Sequence, residues 1–145
     1  MKLPVYVTVE EVQRVCQELK ISDWTKMTKP EVSEKDAAII LNEIDVDDMK
    51  VVLEDFRQGL EVELEHGIMF KEANVTNNHP VLTGKIVLAH FKEMLDYYKR
   101  LEVAEIEGDI FKAVKAGKFE KLDRYHRKLA KAKKILTDSE AAELG

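Results

Sequence analysis

The chain has 145 residues, of which 45% are apolar and 35% are charged, a composition typical of one globular domain with a single core. The 28 acidic and 23 basic residues give a net charge of −5, which disfavours a general nucleic-acid binder. The single Cys16 excludes an internal disulfide and a cysteine-based metal centre, so we expect a reducing compartment. No apolar run has the length of a signal-peptide core or a membrane span, and we therefore predict a cytoplasmic protein.

Two helices are predicted in the first third of the chain. Thr8 and Glu11 form a capping box, and the apolar residues that follow recur at helical spacing, which predicts a helix over 9–20. Ser33 is a preferred N-cap residue and predicts a short second helix behind a polar loop. The apolar run 38–41 also fits a buried strand, and that less favoured alternative stays open.

The middle of the chain predicts a longer third helix. Asp45 and Asp48 are candidate caps for a helix over 46–66, whose apolar residues recur on one face. Gly67 supplies the left-handed residue with which many helices end. Residues 68–79 then form a connection that is long for two helices, so we expect it to be packed or functional.

The second half of the chain also reads as helical. Pro80 suits the first turn of a helix, because its missing N–H would be unpaired there, and it begins a predicted helix over 80–106. Gly108 and Gly117 delimit a shorter helix that contains Ile110, Phe111 and Val114. A last helix follows over 118–136.

These elements predict an all-α fold. We expect a single compact helical domain over 1–145, with about five or six helices around a central hairpin of the two long helices. Residues 46–105 form its core, 106–137 a helical extension that includes the last helix, and 138–145 a frayed acidic tail.

Two carboxylate–imidazole pairs share a spacing of three residues on the long helices. Glu63 precedes His66 on the first, and His90 precedes Glu93 on the second, so each pair lies on one helical face. Facing helices that project such pairs inward hold two-metal sites in helical bundles, and iron, manganese or zinc is then the candidate ion. The second pair belongs to a stripe predicted to face neighbouring helices: Leu82, Ile86, His90, Glu93, Tyr97 and Leu101.

A hydrogen-bonded structural pair explains the same residues more simply. Bundle sites of this kind use four carboxylates, and Glu65 is the one obvious further donor. In this interpretation Glu93 accepts a hydrogen bond from His90 or Tyr97, and no metal is required. We therefore expect no cofactor, with the metal site as the alternative.

The last predicted helix is strongly basic. Residues 118–136 hold eight basic and two acidic residues, a local charge of +6 in an otherwise acidic chain. Such a face binds an acidic protein, a nucleic acid or the acidic body of its own chain, and the last use is favoured here. Its predicted apolar stripe is Phe119, Leu122, His126, Leu129 and Leu136. Its candidate anion-binding residues are Arg124, Arg127, Lys128, Lys131 and Lys134.

Four sequence blocks carry a resemblance to a known family: FRQGLEVELEHG at 56–67, NVTN at 74–77, PVLTGKIVLAH at 80–90 and DYYKRLE at 96–102. Over about residues 46–105 the chain resembles an uncharacterised domain-of-unknown-function family found in bacteria and bacteriophages. The resemblance implies no activity, and a phage origin would make the protein virion-associated. It marks ten positions: Glu63, Glu65, His66, Asn74, Thr76, Thr83, Lys85, His90, Glu93 and Tyr97.

Several of these positions also fit a purely structural role. Asn74 and Thr76 carry short polar side chains that bond to backbone in turns, and they would hold the connection 68–79 against the helix ends. Gly84 allows another element to approach the start of the following helix closely. A loop–helix junction is thus an alternative to a binding site.

No reaction is indicated by the sequence. Thr83-Gly84-Lys85 lacks the further glycine and the hydroxyl residue of a phosphate-binding loop, and no nucleophile elbow is present. We therefore favour a non-enzymatic interaction or structural protein that binds another protein or itself. The alternatives are a metal-binding helical protein and a protein that associates with nucleic acid through its last helix.

Overall fold

The computed structural model describes residues 1, 3–46 and 49–145, and within them the fold is all-α, as predicted. Three short 3-10 segments, Trp24–Lys26, Lys71–Ala73 and Phe119–Lys121, accompany the longer helices. No described helix is both long and apolar enough to cross a membrane. The α-helices of the described residues are α1 (Val9–Leu19), α2 (Glu34–Glu43), α3 (Leu53–Met69), α4 (Pro80–Glu93), α5 (Tyr97–Lys115) and α6 (Leu122–Leu144).

These helices belong to two compact units, residues 1–92 and residues 93–145. The first unit contains α1, α2, α3 and nearly all of α4, and the second contains α5 and α6. The single domain over 1–145, with its core at 46–105 and its extension at 106–137, stays a prediction.

The first two helices begin where their caps predict. The Thr8 hydroxyl accepts the Glu11 N–H at 3.2 Å at the start of α1, and the Ser33 hydroxyl accepts the Asp36 N–H at 3.0 Å at the start of α2. Each hydroxyl thereby satisfies one of the backbone donors that a helix start leaves unpaired. The alternative of a strand over 38–41 is wrong, because those residues lie within α2.

The predicted bounds of the third helix are wrong at both ends. α3 begins at Leu53, seven residues later than predicted, and the candidate cap Asp48 lies outside the described residues. Acidic residues Glu54 and Asp55 occupy the first turn, where they complement the helix dipole. Gly67 does not end α3, because the helix continues to Met69 and closes with a hydrogen bond from the Phe70 N–H to the His66 carbonyl.

The predicted helix over 80–106 is two helices. Pro80 is the first residue of α4, as predicted, but α4 ends at Glu93 and α5 begins at Tyr97. Asp96 precedes α5 with ψ of 15°, outside the helical region, and its buried carboxylate pairs with Arg100 at 2.7 Å. The carboxylate at a helix start and the cation one turn later stabilise a new beginning there.

The break also corrects the predicted inward stripe on α4. The buried residues of this helix are Pro80, Thr83, Gly84, Val87 and Phe91, whereas Ile86 of the predicted stripe is exposed. The predicted stripe assumes one unbroken helix as far as Leu101. Because the helix is interrupted at 94–96, the residues before and after the interruption do not follow one helical repeat.

Two further boundaries differ from the prediction in the second unit. Gly108 lies inside α5, whereas Gly117 has φ of +68° and turns the chain between α5 and α6. The tail predicted to be frayed over 138–145 is helical to Leu144. Lys134 pairs with Asp138 along α6, and Arg100 of α5 pairs with Glu140, each at 2.7 Å, so the acidic residues of the tail tie it to the unit.

Gly84 of α4 lies in the core of the first unit, against side chains of α2 and α3. Trp24, Ile40, Phe56 and Val87 are fully buried in this unit. A Cβ atom at Gly84 would lie 2.9 Å from the Cγ2 atom of Ile40 and 3.4 Å from the Cζ atom of Phe56. The close approach expected at Gly84 is therefore confirmed, and it lets α4 pack against α2 and α3.

We expect Gly84→Ala to lower the free energy of unfolding of the first unit by about 1 kcal/mol. Overpacking a core costs about 1–3 kcal/mol, and the better helix propensity of alanine returns about 1 kcal/mol. Urea unfolding followed by the fluorescence of the single Trp24 reports on this unit.

Gly108→Ala is the matched control, because no atom lies within 4 Å of its added Cβ. It should raise the stability of the second unit by about 0.5–1 kcal/mol, measured by circular dichroism. A Gly84→Ala protein as stable as the parent would contradict the packing described for α4.

Candidate functional site

The connection between α3 and α4 is folded back onto the end of α3 by Asn74. Its side-chain amide donates to the Gly67 carbonyl at 3.1 Å and to the Oδ1 atom of Asn78 at 2.8 Å. The Thr76 hydroxyl donates to the Oδ1 atom of Asn74 at 3.4 Å. We call Gly67, Asn74 and Asn78 the asparagine clamp. Asn74 thus bonds backbone, as expected for a short polar side chain in a turn, whereas Thr76 bonds the side chain of Asn74 instead of backbone.

Gly67 is required by the clamp and not by a helix end. A Cβ atom there would lie 2.1 Å from the Oδ1 atom of Asn78 and 3.0 Å from the Nδ2 atom of Asn74. Asn77 and Asn78 adopt left-handed backbone angles, with φ of 48° and 59°, which asparagine tolerates better than most residues. The amide of Asn77 also donates to the Val7 carbonyl at 2.5 Å, so the loop holds the segment before α1.

A cavity of about 210 Å³ lies beside the clamp. It brings together five of the predicted site residues, which come from α3, the loop and α4: Glu63, His66, Asn74, Thr76 and Thr83. Its other lining residues are Gly67, Phe70, Ala73, Val75, Asn78 and Ile86. The sequence spacing predicts that Glu63 and His66 lie together on one face of α3. The loop residues line the same cavity because the clamp folds the loop back onto α3.

Glu63 lies between two histidines at the edge of this cavity. Its Oε1 atom is 3.6 Å from the Nε2 atom of His90, and its Oε2 atom is 3.9 Å from the Nδ1 atom of His66. These separations are those of ion pairs when the imidazoles are protonated, and they are too long for hydrogen bonds. The Glu63 side chain is only 15% exposed, so its charge acts in a partly desolvated setting. The α3 pair and His90 of α4 therefore meet through one carboxylate.

The remaining predicted site residues are not brought into this cavity. Glu65 is exposed on α3, and Lys85 lines a separate cavity of about 340 Å³ with Asp45 and Lys92. Glu93 and Tyr97 belong to the second unit. Among the described residues, no group of three or more His, Cys, Asp or Glu side chains is placed to hold one metal ion.

The basic face of α6 is partly neutralised within its own unit. Arg127 pairs with Asp123 at 2.8 Å, Lys134 with Asp138, and Lys133 with Glu107 of α5 at 3.0 Å. The Arg124 guanidinium lies 5.2 Å from the centre of the Tyr125 ring. Lys128 and Lys131 line a groove of about 410 Å³ between α5 and α6, which they share with Glu102, Glu105 and Asp109.

Large apolar side chains are exposed where α5 and α6 connect. Phe111 is 68% exposed, Phe119 is 63% exposed and Val114 is 48% exposed. The apolar stripe predicted for the last helix is therefore wrong at Phe119, and also at His126, which is exposed. The buried residue of α6 is Ala132. Its small side chain allows α6 to lie close to α5.

His79 has a structural role that the sequence patterns do not single out. It is buried immediately before α4, and its Nδ1 atom accepts the Leu82 N–H at 3.3 Å, so it caps the helix. Burial lowers the pKa of His79 below its ordinary value, Arg14 of α1 lowers it further, and Glu11 opposes both. The available signal was the sequence Asn77-Asn78-His79-Pro80, in which a polar side chain directly precedes a proline at a helix start.

The His79 cap should make the first unit less stable as the pH falls. The unfolded chain binds a proton near pH 6.5, whereas the folded imidazole resists protonation, so the free energy of unfolding decreases below about pH 6.5. The decrease is at most about 1.4 kcal/mol per pH unit and stops once the pH passes the folded pKa. Urea unfolding followed by Trp24 fluorescence between pH 8 and pH 5 measures it.

His79→Asn is the informative comparison, because asparagine is a good N-cap residue that does not titrate. This variant should show a smaller loss of stability over the same pH range than the parent. Identical pH dependence in both proteins would contradict the role assigned to His79.

Comparison with known proteins identifies one family. The sequence profile of the family described as "Protein of unknown function (DUF5661)" matches residues 12–107, from α1 into α5. No curated protein and no solved structure matches the chain. The matched span includes the cavity, the clamp and the Glu63–histidine cluster, and it ends before α6.

Proposed function

We propose that this chain, which belongs to the DUF5661 family of proteins of unknown function, is a non-enzymatic interaction protein whose second unit contacts a protein partner. The exposure of Phe111 and Phe119 is the observation that carries this proposal. Aromatic side chains are enriched in protein interfaces, and exposed groups of apolar residues mark interaction sites on soluble proteins.

The exposed residues lie at one end of the second unit. Phe111 and Val114 are three residues apart on α5 and therefore neighbours on its surface. The chain turns at Gly117, where the Lys118 N–H donates to the Ala113 carbonyl at 2.9 Å, and the segment Phe119–Lys121 contacts α5. We call Phe111, Val114 and Phe119 the apolar tip.

Charge within the second unit favours a protein over a nucleic acid as the partner. Arg127, Lys133 and Lys134 of α6 already pair with acidic side chains. The groove at Lys128 and Lys131 contains three acidic residues. A nucleic-acid site requires cations free to replace the counterions of several phosphates. The partner is therefore another protein or a second copy of this chain, and the second copy is the simpler one to test.

Replacing both aromatic residues of the tip, as Phe111→Ser with Phe119→Ser, should abolish self-association. Truncating a central aromatic residue commonly costs an interface about 2 kcal/mol, so the double change should weaken the dimer by a factor of more than about 100. Sedimentation velocity over a range of protein concentrations measures the effect.

Ile135→Ser on α6 is the matched control, because it removes an exposed apolar residue away from the tip. It should leave association unchanged. A parent protein that is monomeric at all concentrations removes the second copy as the partner, and equal association of both variants removes the tip as the surface.

The position of Glu63 between two histidines supports a second candidate function, metal binding. Imidazole nitrogens and a carboxylate are suitable ligands for zinc, iron and manganese, and ligands at about 2.0–2.2 Å from one ion are at most about 4.4 Å apart. The distances from Glu63 to His66 and His90 lie within that limit. In the described structure these three side chains are not placed around one ion, so metal binding here requires both imidazoles to move towards Glu63, and the ion would then supply Lewis-acid chemistry.

Elemental analysis of untagged protein purified without chelator tests this second candidate. Near-stoichiometric metal should be present in the parent and lost in His90→Ala. His126→Ala, which removes an exposed histidine on α6, should retain it. Metal-free parent protein that is fully folded would eliminate metal binding as the function.

A further inference from the structure

We propose that the cavity beside the asparagine clamp binds a small organic ammonium ion, a function that goes beyond protein interaction through the second unit. The proposal rests on the hydrogen-bonding capacity that remains on the cavity wall, on the position of Glu63, and on the apolar residues of the lining. All of these groups belong to the first unit.

The donor groups of three polar lining residues are already committed inside the protein. The Thr83 hydroxyl donates to the His79 carbonyl at 2.9 Å, and the Thr76 hydroxyl donates to Asn74. Both amide hydrogens of Asn74 are used within the clamp, one to the Gly67 carbonyl and one to Asn78. These side chains cannot donate to a ligand without breaking the contacts that fold the loop.

What the same side chains still offer a ligand is acceptor capacity. A hydroxyl that donates its one hydrogen keeps oxygen lone pairs, so Thr76 and Thr83 present acceptors to the cavity. The Oδ1 atom of Asn78 accepts one hydrogen bond from Asn74 and has a second lone pair. Asn78 and His66 retain donor groups, but each also carries an acceptor atom. A ligand rich in hydrogen-bond donors therefore fits this wall better than one rich in acceptors.

Glu63 adds the charge that distinguishes a cationic donor from a neutral one. Its carboxylate is partly desolvated at the cavity edge, where an ammonium group forms a stronger hydrogen bond than a neutral amine or alcohol. An anionic ligand would instead meet like charge. The site thus selects a ligand that carries a positive charge on its donor group.

The lining of the cavity also includes apolar residues, which select the rest of the ligand. Phe70, Val75 and Ile86 line the cavity, and each of them is partly exposed to solvent. Covering these side chains with an alkyl group removes apolar surface from water. The volume of about 210 Å³ is about seven times the ~30 Å³ share of one water molecule in the liquid, which suits an amine of a few carbon atoms.

Titration with n-butylammonium chloride, followed by two-dimensional ¹H–¹⁵N NMR at pH 8, tests the inference. The ion keeps its charge at that pH. We expect saturable shifts at the backbone amides of Gly67 and Thr76, and no saturable shift with sodium butyrate of the same chain length. Butyrate that binds as well as butylammonium, or butylammonium that produces no saturable shift, would overturn the proposal.

Glu63→Gln and Glu65→Gln form a matched pair, because both remove one negative charge from α3 and only Glu63 lines the cavity. Glu63→Gln should weaken butylammonium binding at least tenfold, since a charge-assisted hydrogen bond is lost. Glu65→Gln should stay within twofold of the parent. Equal losses in the two variants would reduce the effect to general electrostatic attraction and overturn the assignment of the site.

Two further measurements keep the result interpretable if Glu63→Gln disturbs the fold. In the parent, methylammonium should bind several-fold more weakly than butylammonium, and Ile86→Ala should remove most of that difference, because the alkyl chain contacts the apolar wall. A titration with ZnCl₂ separates the ammonium site from a metal site. If zinc produces Glu63-dependent shifts and butylammonium produces none, the ammonium proposal is wrong.

Discussion

The contact between Asn74 and the end of α3 is the constraint on which the candidate site depends. The asparagine amide bonds the Gly67 carbonyl, and only glycine leaves room for Asn78 beside it. Without this contact the loop would have no reason to lie along α3, and Thr76 would not reach the cavity. Partial burial of Asn74, Thr76 and Asn78 is possible because their side chains are hydrogen-bonded to one another or to backbone, which avoids the cost of unpaired polar groups.

The two units of the chain use charge differently. In the first unit one partly buried carboxylate, Glu63, is set between His66 and His90 beside a cavity. In the second unit, apart from the buried Asp96 that pairs with Arg100, the described ion pairs lie on exposed surfaces along and between α5 and α6, where each pair contributes little to stability. Apolar exposure at Phe111 and Phe119 is therefore the more informative feature of the second unit. A ligand site and a protein-contact surface can thus coexist in one small chain.

Local capping chemistry made the starts of α1, α2 and α4 predictable, since Thr8, Ser33 and Pro80 act within one helical turn. The ends of the long helices were not predictable in the same way. Gly67 has the residue type of a helix stop, yet its lack of a side chain serves a contact with a loop seven and eleven residues further on. Asp96 interrupts a segment whose apolar pattern continues through it, because its carboxylate is buried with Arg100 as partner.

The sequence by itself determined the helical class, the Glu63–His66 pairing and the basic character of α6, since each depends on residue type and on the 3.6-residue period alone. Only the tertiary structure decided that His90 joins that pair, that loop residues complete a cavity beside it, and that Phe119 faces solvent. The physical reason is that spacing along a helix defines which residues share a face. What that face meets depends on contacts between segments far apart in the chain.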